Sequence, residues 1–248
     1  MILTDDNFAT IVSAVSYGRT LYDNLLKYLR FQMATLVAYI AVFIGAGIIG
    51  IANGTPLNPL QILWLNMVVD IPLAIALGFD QPARGLMSRP PRPLGLPVLS
   101  RNNWFRLCAQ GAVMTVGSLA AYQIADDDGP IIAGTMLLTT LSLFHVAAAL
   151  LSRDQQNTIF DRAAIPDIMQ LRRYALALIA IVLITALGIL QRIFGTTALT
   201  FNQWCTCIGI AASLIVVEEL IKLVLRRRGS AEPAAVSPQQ LPVTPAVA

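Results

Sequence analysis

The chain has 248 residues, of which 56% are hydrophobic and only 12% charged, with 17 Lys and Arg against 14 Asp and Glu for a net charge of +3; its mean hydropathy is +0.67. Charged residues stand at about half the ~25% share of an ordinary soluble domain, which excludes a soluble globular domain. A net charge this small gives no basic footprint, so no nucleic-acid partner is expected.

The opening stretch, MILTDDNFATIVSAVSYGRT, has acids near its start and no small-residue cleavage site after an apolar core, so no cleavable signal peptide is expected. Phe8, Ile11, Val12 and Val15 recur at three- and four-residue spacing, with Thr4 or Asp5 able to cap. That spacing predicts an amphipathic helix over residues 6–30, a cytoplasmic stalk running directly into the first apolar segment.

Six apolar segments follow, at 31–52, 60–79, 104–125, 131–151, 174–191 and 204–225, each near the ~20 residues that carry a helix across ~30 Å of hydrocarbon. The expected fold is therefore all-α: a polytopic membrane helix bundle with six transmembrane helices, whose first partner is the lipid bilayer. The stalk is expected within residues 1–30 and the six-helix membrane sector over 31–228. Arg106 lies near one end of the third segment, where it is expected to reach the interface. With the N-terminus cytoplasmic, sixteen of the Lys and Arg residues fall on that side and only Arg192 on the other. This asymmetry predicts both termini cytoplasmic.

In the second segment, LQILWLNMVVDIPLAIALGF, Asp70 interrupts an otherwise apolar run. A carboxylate at mid-membrane costs about 3 kcal/mol on insertion scales, so such residues face a bundle interior and mark ion or proton pathways. Asn66 precedes it by four residues, placing both oxygen donors on one helix face about 6 Å apart at Cβ. Asn66 and Asp70 are the candidate metal ligands. Two side chains supply only two or three of the six to eight oxygens calcium takes, so other groups must contribute. Pro72 lacks an N–H and clashes with a continuing helix, so it is expected to free carbonyls near residue 68 or to unwind the segment beside Asp70.

Several other features read as structural. Asp126–Asp127–Asp128–Gly129–Pro130 suits a solvated external turn. Cys108, Cys205 and Cys207 suggest free thiols rather than a disulfide or soft-metal site. Glu218 and Glu219 are within i,i+3 and i,i+4 reach of Lys222, and Gly45, Gly47 and Gly50 would permit close helix packing. His145, the single histidine, lies mid-helix in LLTTLSLFHVAAALL; a neutral imidazole bonded between helices is the simpler reading, since a metal site needs three or four ligands. Residues 229–248, rich in Pro, Ala, Val, Ser and Gln, are expected to be a disordered tail, anchored by Arg226–Arg228 at the headgroups.

The stretch TDDNFATIVSAVSYGRTLYDNLLKYLRF resembles the junction between the phosphorylation domain and the fifth membrane helix of type II P-type ATPases, the calcium-pump class. The resemblance continues through LQILWLNMVVDIPLAIALGFDQP and RPPRP to EELIKLVLRRR, which is similar to the end of the tenth helix. It implies the fifth to tenth helices of a cation pump, in which the residues matching Asn66 and Asp70 bind the ion with a glutamate of an absent fourth helix. Calcium or another cation would be the transported ion, and the plasma membrane the expected location. The sequence contains no DKTGT, TGDGVND or TGE motif. ATP and magnesium would therefore act only through domains outside it, and the N-terminal half of a P-type ATPase is the implied partner.

Leu36, Tyr39, Val69 and His145 stand where two-site calcium pumps carry ligands of a second ion, which implies one site at most. His145 there leaves counter-transported proton handling, or a stand-in cation, as the alternative to a plain interhelical bond. At this stage a pump sector and a non-enzymatic membrane protein derived from one (a regulator, a passive cation pathway or an inert remnant) both stand.

Overall fold

The computed structural model describes residues 8–82, 85–88, 98–99, 101–153 and 168–229. The capping residues Thr4 and Asp5, the Arg89–Pro93 loop and the tail beyond Gly229 lie outside them. Eight α-helices are present among the described residues, with no strand: α1 (Phe8–Ile49), α2 (Pro59–Trp64), α3 (Asp70–Gly78), α4 (Arg101–Ile124), α5 (Pro130–Arg153), α6 (Ile168–Ala186), α7 (Gly188–Phe194) and α8 (Phe201–Gly229).

α1 is unbroken over 42 residues, about 63 Å at 1.5 Å per residue. Stalk and first span are thus one rod, as expected. The predicted apolar stripe of the stalk is not covered, however, since Val12 and Val15 are exposed. Gly50 ends the rod in the left-handed region (φ 81°). The chain then turns sharply into α2, whose Asn58 and Gln61 form a reciprocal cap: the Gln61 N–H donates to Asn58 Oδ1 at 2.8 Å and the Asn58 N–H to Gln61 Oε1 at 3.0 Å. Pro59 suits the first helical position because its missing N–H has no partner to lose there.

Among the described residues five helical spans are long and apolar enough to cross a membrane: Ala9–Ile49, Pro59–Gly78, Pro130–Arg153, Ile168–Ala186 and Phe201–Leu223. α4 is as long as α5 but carries Arg106, Gln110, Thr115 and Ser118 on its buried side. Its contacts lay it antiparallel along α8. Arg106 near its start pairs with Glu218 late in α8, while Asp128, just past its end, accepts from Gln203 Nε2 at 2.9 Å at the start of α8. Those partners on α8 are fifteen residues apart, about 22 Å along the axis.

α5 is the central helix, packed against α1, α3, α4, α6 and α8, with Leu137, Leu138, Leu141, Phe144 and His145 fully buried. Close approach comes mostly from the glycines of α4. A Cβ on Gly111 would sit 2.5 Å from Val37 Cγ1, and one on Gly117 would sit 2.6 Å from Phe144 Cζ and 2.9 Å from Ile210 Cγ2. Of the three glycines expected to mediate packing, only Gly45 is tight, against Leu119; Gly47 and Gly50 have open space.

Candidate functional site

The second span does not unwind at Asp70. Leu65–Val69 forms a π turn, and the Asp70 N–H donates to Leu65 O, five residues back, before α3 resumes. Pro72 fits the disturbed bonding here, since it can give no N–H to the carbonyl four residues earlier. Such one-turn π insertions concentrate at functional sites. The turn also alters the expected pairing. With bonds closing five residues back, Asn66 and Asp70 part in burial: Asp70 is 5% exposed, whereas Asn66 is exposed and donates from Nδ2 to Ile62 O at 2.9 Å.

Asp70 instead meets α5. His145 Nδ1 lies 2.7 Å from Asp70 Oδ1, and the imidazole is completely buried. An ionised carboxylate only accepts, so Nδ1–H is the donor in this contact. Phe31 and Tyr39 of α1 meet the ring edge-on, with centroids 6.3 Å and 5.2 Å away. Three buried polar atoms in this cluster have no hydrogen-bond partner: Asp70 Oδ2, His145 Nε2 and the Tyr39 hydroxyl. Each such atom costs about 1–3 kcal/mol when left unpaired, so the arrangement is suited to a polar or cationic occupant. Among the described residues no three His, Cys, Asp or Glu side chains converge on one point. Of the other positions tied to a second ion, Leu36 is exposed and Val69 buried. Cys205 is exposed and Cys207 buried, both free, which fits residues two apart on a helix facing different ways.

A second polar centre, which the sequence reading missed, sits just beyond the end of α3. Asp80 is 7% exposed and accepts from Lys27 Nζ at 2.8 Å, from Arg153 at 3.0 and 3.4 Å and from Gln170 Nε2. Asn24 Nδ2 donates to the Asp80 carbonyl at 2.8 Å and to Gly78 O at 3.2 Å. This carboxylate joins α1, α5 and α6 to the end of the second span. Burial alone would raise its pKa, but the Arg153, Gln170 and Lys27 contacts together hold it below the usual carboxylate range.

The opposite end of the span is tied too, by Asn58 Nδ2 and Gln61 Nε2, which both donate to Phe194 O at 2.9 Å. Arg106 is 7% exposed and paired with Glu218, itself 1% exposed, a partner the sequence reading did not name. Only Glu219 makes the expected local pair with Lys222, at 3.1 Å.

An integral, multi-pass helical membrane protein with a buried carboxylate at a π turn is the class that these observations define. Residues 54–224 match the family described as "Cation transporting ATPase, C-terminus", and the chain belongs to that family. It is 31% identical over 231 residues to "Calcium-transporting ATPase 1" of Schizosaccharomyces pombe, covering 92% of this chain and 26% of that protein. Identity is 30% over 230 residues to "Calcium-transporting ATPase type 2C member 1" of Homo sapiens, covering 92% of this chain and 25% of that one. For the "Calcium-transporting ATPase" of Bacillus subtilis it is 32% over 215 residues, covering 86% and 24% respectively. The chain thus spans about a quarter of the length of these relatives and corresponds to the C-terminal membrane part of a calcium-pump-type P-type ATPase.

Proposed function

We propose that this chain is the membrane sector through which an ATP-driven pump moves calcium, with Asp70 and Asn66 among the ion's ligands. The observation that carries the reading is the buried Asp70 carboxylate, with Oδ2 unpartnered, directly after a π turn in a membrane-spanning helix. Relatives named for calcium transport support calcium as the ion.

Asp70 supplies the negative charge and a hard oxygen. Asn66, on the exposed side of the span, adds a carbonyl oxygen where a further helix from the pump's N-terminal half can pack. That half would hold the ATP- and magnesium-dependent phosphorylation chemistry and is the proposed partner. The cation enters from the cytoplasmic side, where both termini lie, and leaves on the side of the Asp126–Asp128 turn. The plasma membrane is the proposed location.

The test is ATP-dependent uptake of radiolabelled calcium into vesicles holding this chain, with and without the N-terminal half supplied as a second polypeptide. Uptake with both, abolished by Asp70→Asn, is the expected result. Uptake that Asp70→Asn leaves unaltered refutes the assignment.

A further inference from the structure

We propose that His145 is a positioning residue that holds Asp70 to a single free carboxylate oxygen and thereby sets which cations the site prefers. The inference rests on the reading of Asp70 as an ion ligand and goes a step further, to the selectivity of that site.

The contact spans two helices and 75 residues, at 2.7 Å between Nδ1 and Oδ1, with the imidazole fully buried. The ring is not free to swing away. Phe31 and Tyr39 hold it edge-on from α1, at interplanar angles of 87° and 88°. With Oδ1 engaged, only Oδ2 lacks a partner. A carboxylate can chelate a large cation through both oxygens, and calcium, with six to eight ligands at 2.3–2.6 Å, makes frequent use of that mode. An octahedral ion such as manganese needs no bidentate carboxylate. Pinning Oδ1 therefore costs calcium more than it costs a six-coordinate ion, so His145 narrows the calcium advantage that Asp70 alone would give. A group bonded behind a ligand in this way typically changes metal affinity about 10- to 100-fold when removed.

The experiment measures the concentration dependence of calcium and of manganese uptake in vesicles holding this chain together with the N-terminal half. His145→Leu frees Oδ1 and is expected to move the ratio of apparent affinities toward calcium by about tenfold or more. His145→Asn keeps an N–H donor near the Nδ1 position and is expected to stay close to the parent ratio. A loss of packing alone weakens both ions alike, so an unchanged ratio in His145→Leu overturns the proposal, as does a His145→Asn ratio equal to that of His145→Leu.

Because His145 is the single histidine, isotope-labelled histidine gives one imidazole signal pair in the intact chain, which serves even where a variant inserts poorly. A hydrogen-bonded, protonated Nδ1 that shifts on Asp70→Asn is expected; identical signals in both chains overturn the contact. Uptake surviving Asp70→Asn sinks the underlying reading. Loss in Asp70→Asn with no selectivity change in His145→Leu sinks only this one.

Discussion

Replacing Asp80 with Asn tests whether the end of the span that carries Asp70 is held by charge or merely by shape. The amide keeps the size of the side chain and one accepting oxygen, but its NH2 then faces Lys27 and Arg153 without the negative charge that both now meet. Removing one partner of a buried ion pair costs about 3–5 kcal/mol. Lys27 keeps Asn24 Oδ1 at 3.1 Å and Asp23 at 3.7 Å, and the Arg153 side chain is 13% exposed, so the lower end of that range, about 3 kcal/mol, is expected. At about 2–4 °C per kcal/mol for a chain of this size, the melting temperature in lipid nanodiscs falls by about 6–12 °C. Trp64, Trp104 and Trp204 supply the fluorescence readout. The double variant Lys27→Met/Asp80→Asn should lose less than the sum of the single changes, because it removes a charge that Asp80→Asn alone leaves stranded. The pH dependence has a fixed sign. A carboxylate whose folded pKa is depressed contributes stability fully above its unfolded value, about 3.9, and loses it as pH falls through the lower folded value. The parent chain therefore keeps this contribution down to about pH 4. A melting temperature for Asp80→Asn within about 1 °C of the parent would refute the reasoning, since it corresponds to well under 1 kcal/mol.

Arg106→Met should destabilise by about 3–5 kcal/mol by stranding Glu218 in the α4–α8 contact, and adding Glu218→Met should recover most of that loss; thermal unfolding of the parent and the two variants checks both. Gly117→Ala should lower stability, because the new Cβ meets Phe144 of the core and Ile210, with overpacking of about 1–3 kcal/mol outweighing the helix-propensity gain of about 1 kcal/mol. Gly47→Ala, with nothing within 4 Å, should be neutral or stabilising in the same assay.

The apolar runs and the stalk were legible because they are local: a helix period and a run of about 20 apolar residues need no partner to be seen. Asp70 stood out for the same reason, as one charge in such a run. Its actual neighbour did not, because Asp70 and His145 lie 75 residues apart and nothing in either segment specifies the other. Asp80 was missed because it reads as the polar end of a span, while its partners Lys27, Arg153 and Gln170 are 53, 73 and 90 residues away. Arg106 was expected at the interface for want of any sign of Glu218, 112 residues on. The π turn was half legible: Pro72 marks a disturbed backbone, but whether the helix opens or widens depends on packing. In the same way, glycine spacing named Gly45 but not Gly111 and Gly117, whose close contacts are set by side chains on other helices.

Because the span Pro59–Gly78 is fastened at both extremities, to Phe194 O at one and to Asn24 at the other, its phase is fixed twice over. Each residue of an α-helix turns it by about 100°, so losing one residue from α2 or α3 would swing a fastening out of reach. The π turn is the one place with a residue of slack. A deletion within Leu65–Val69 tightens the turn to α-helical pitch while both fastenings keep their bearings, which makes this stretch the natural place for length variation in a span otherwise intolerant of it.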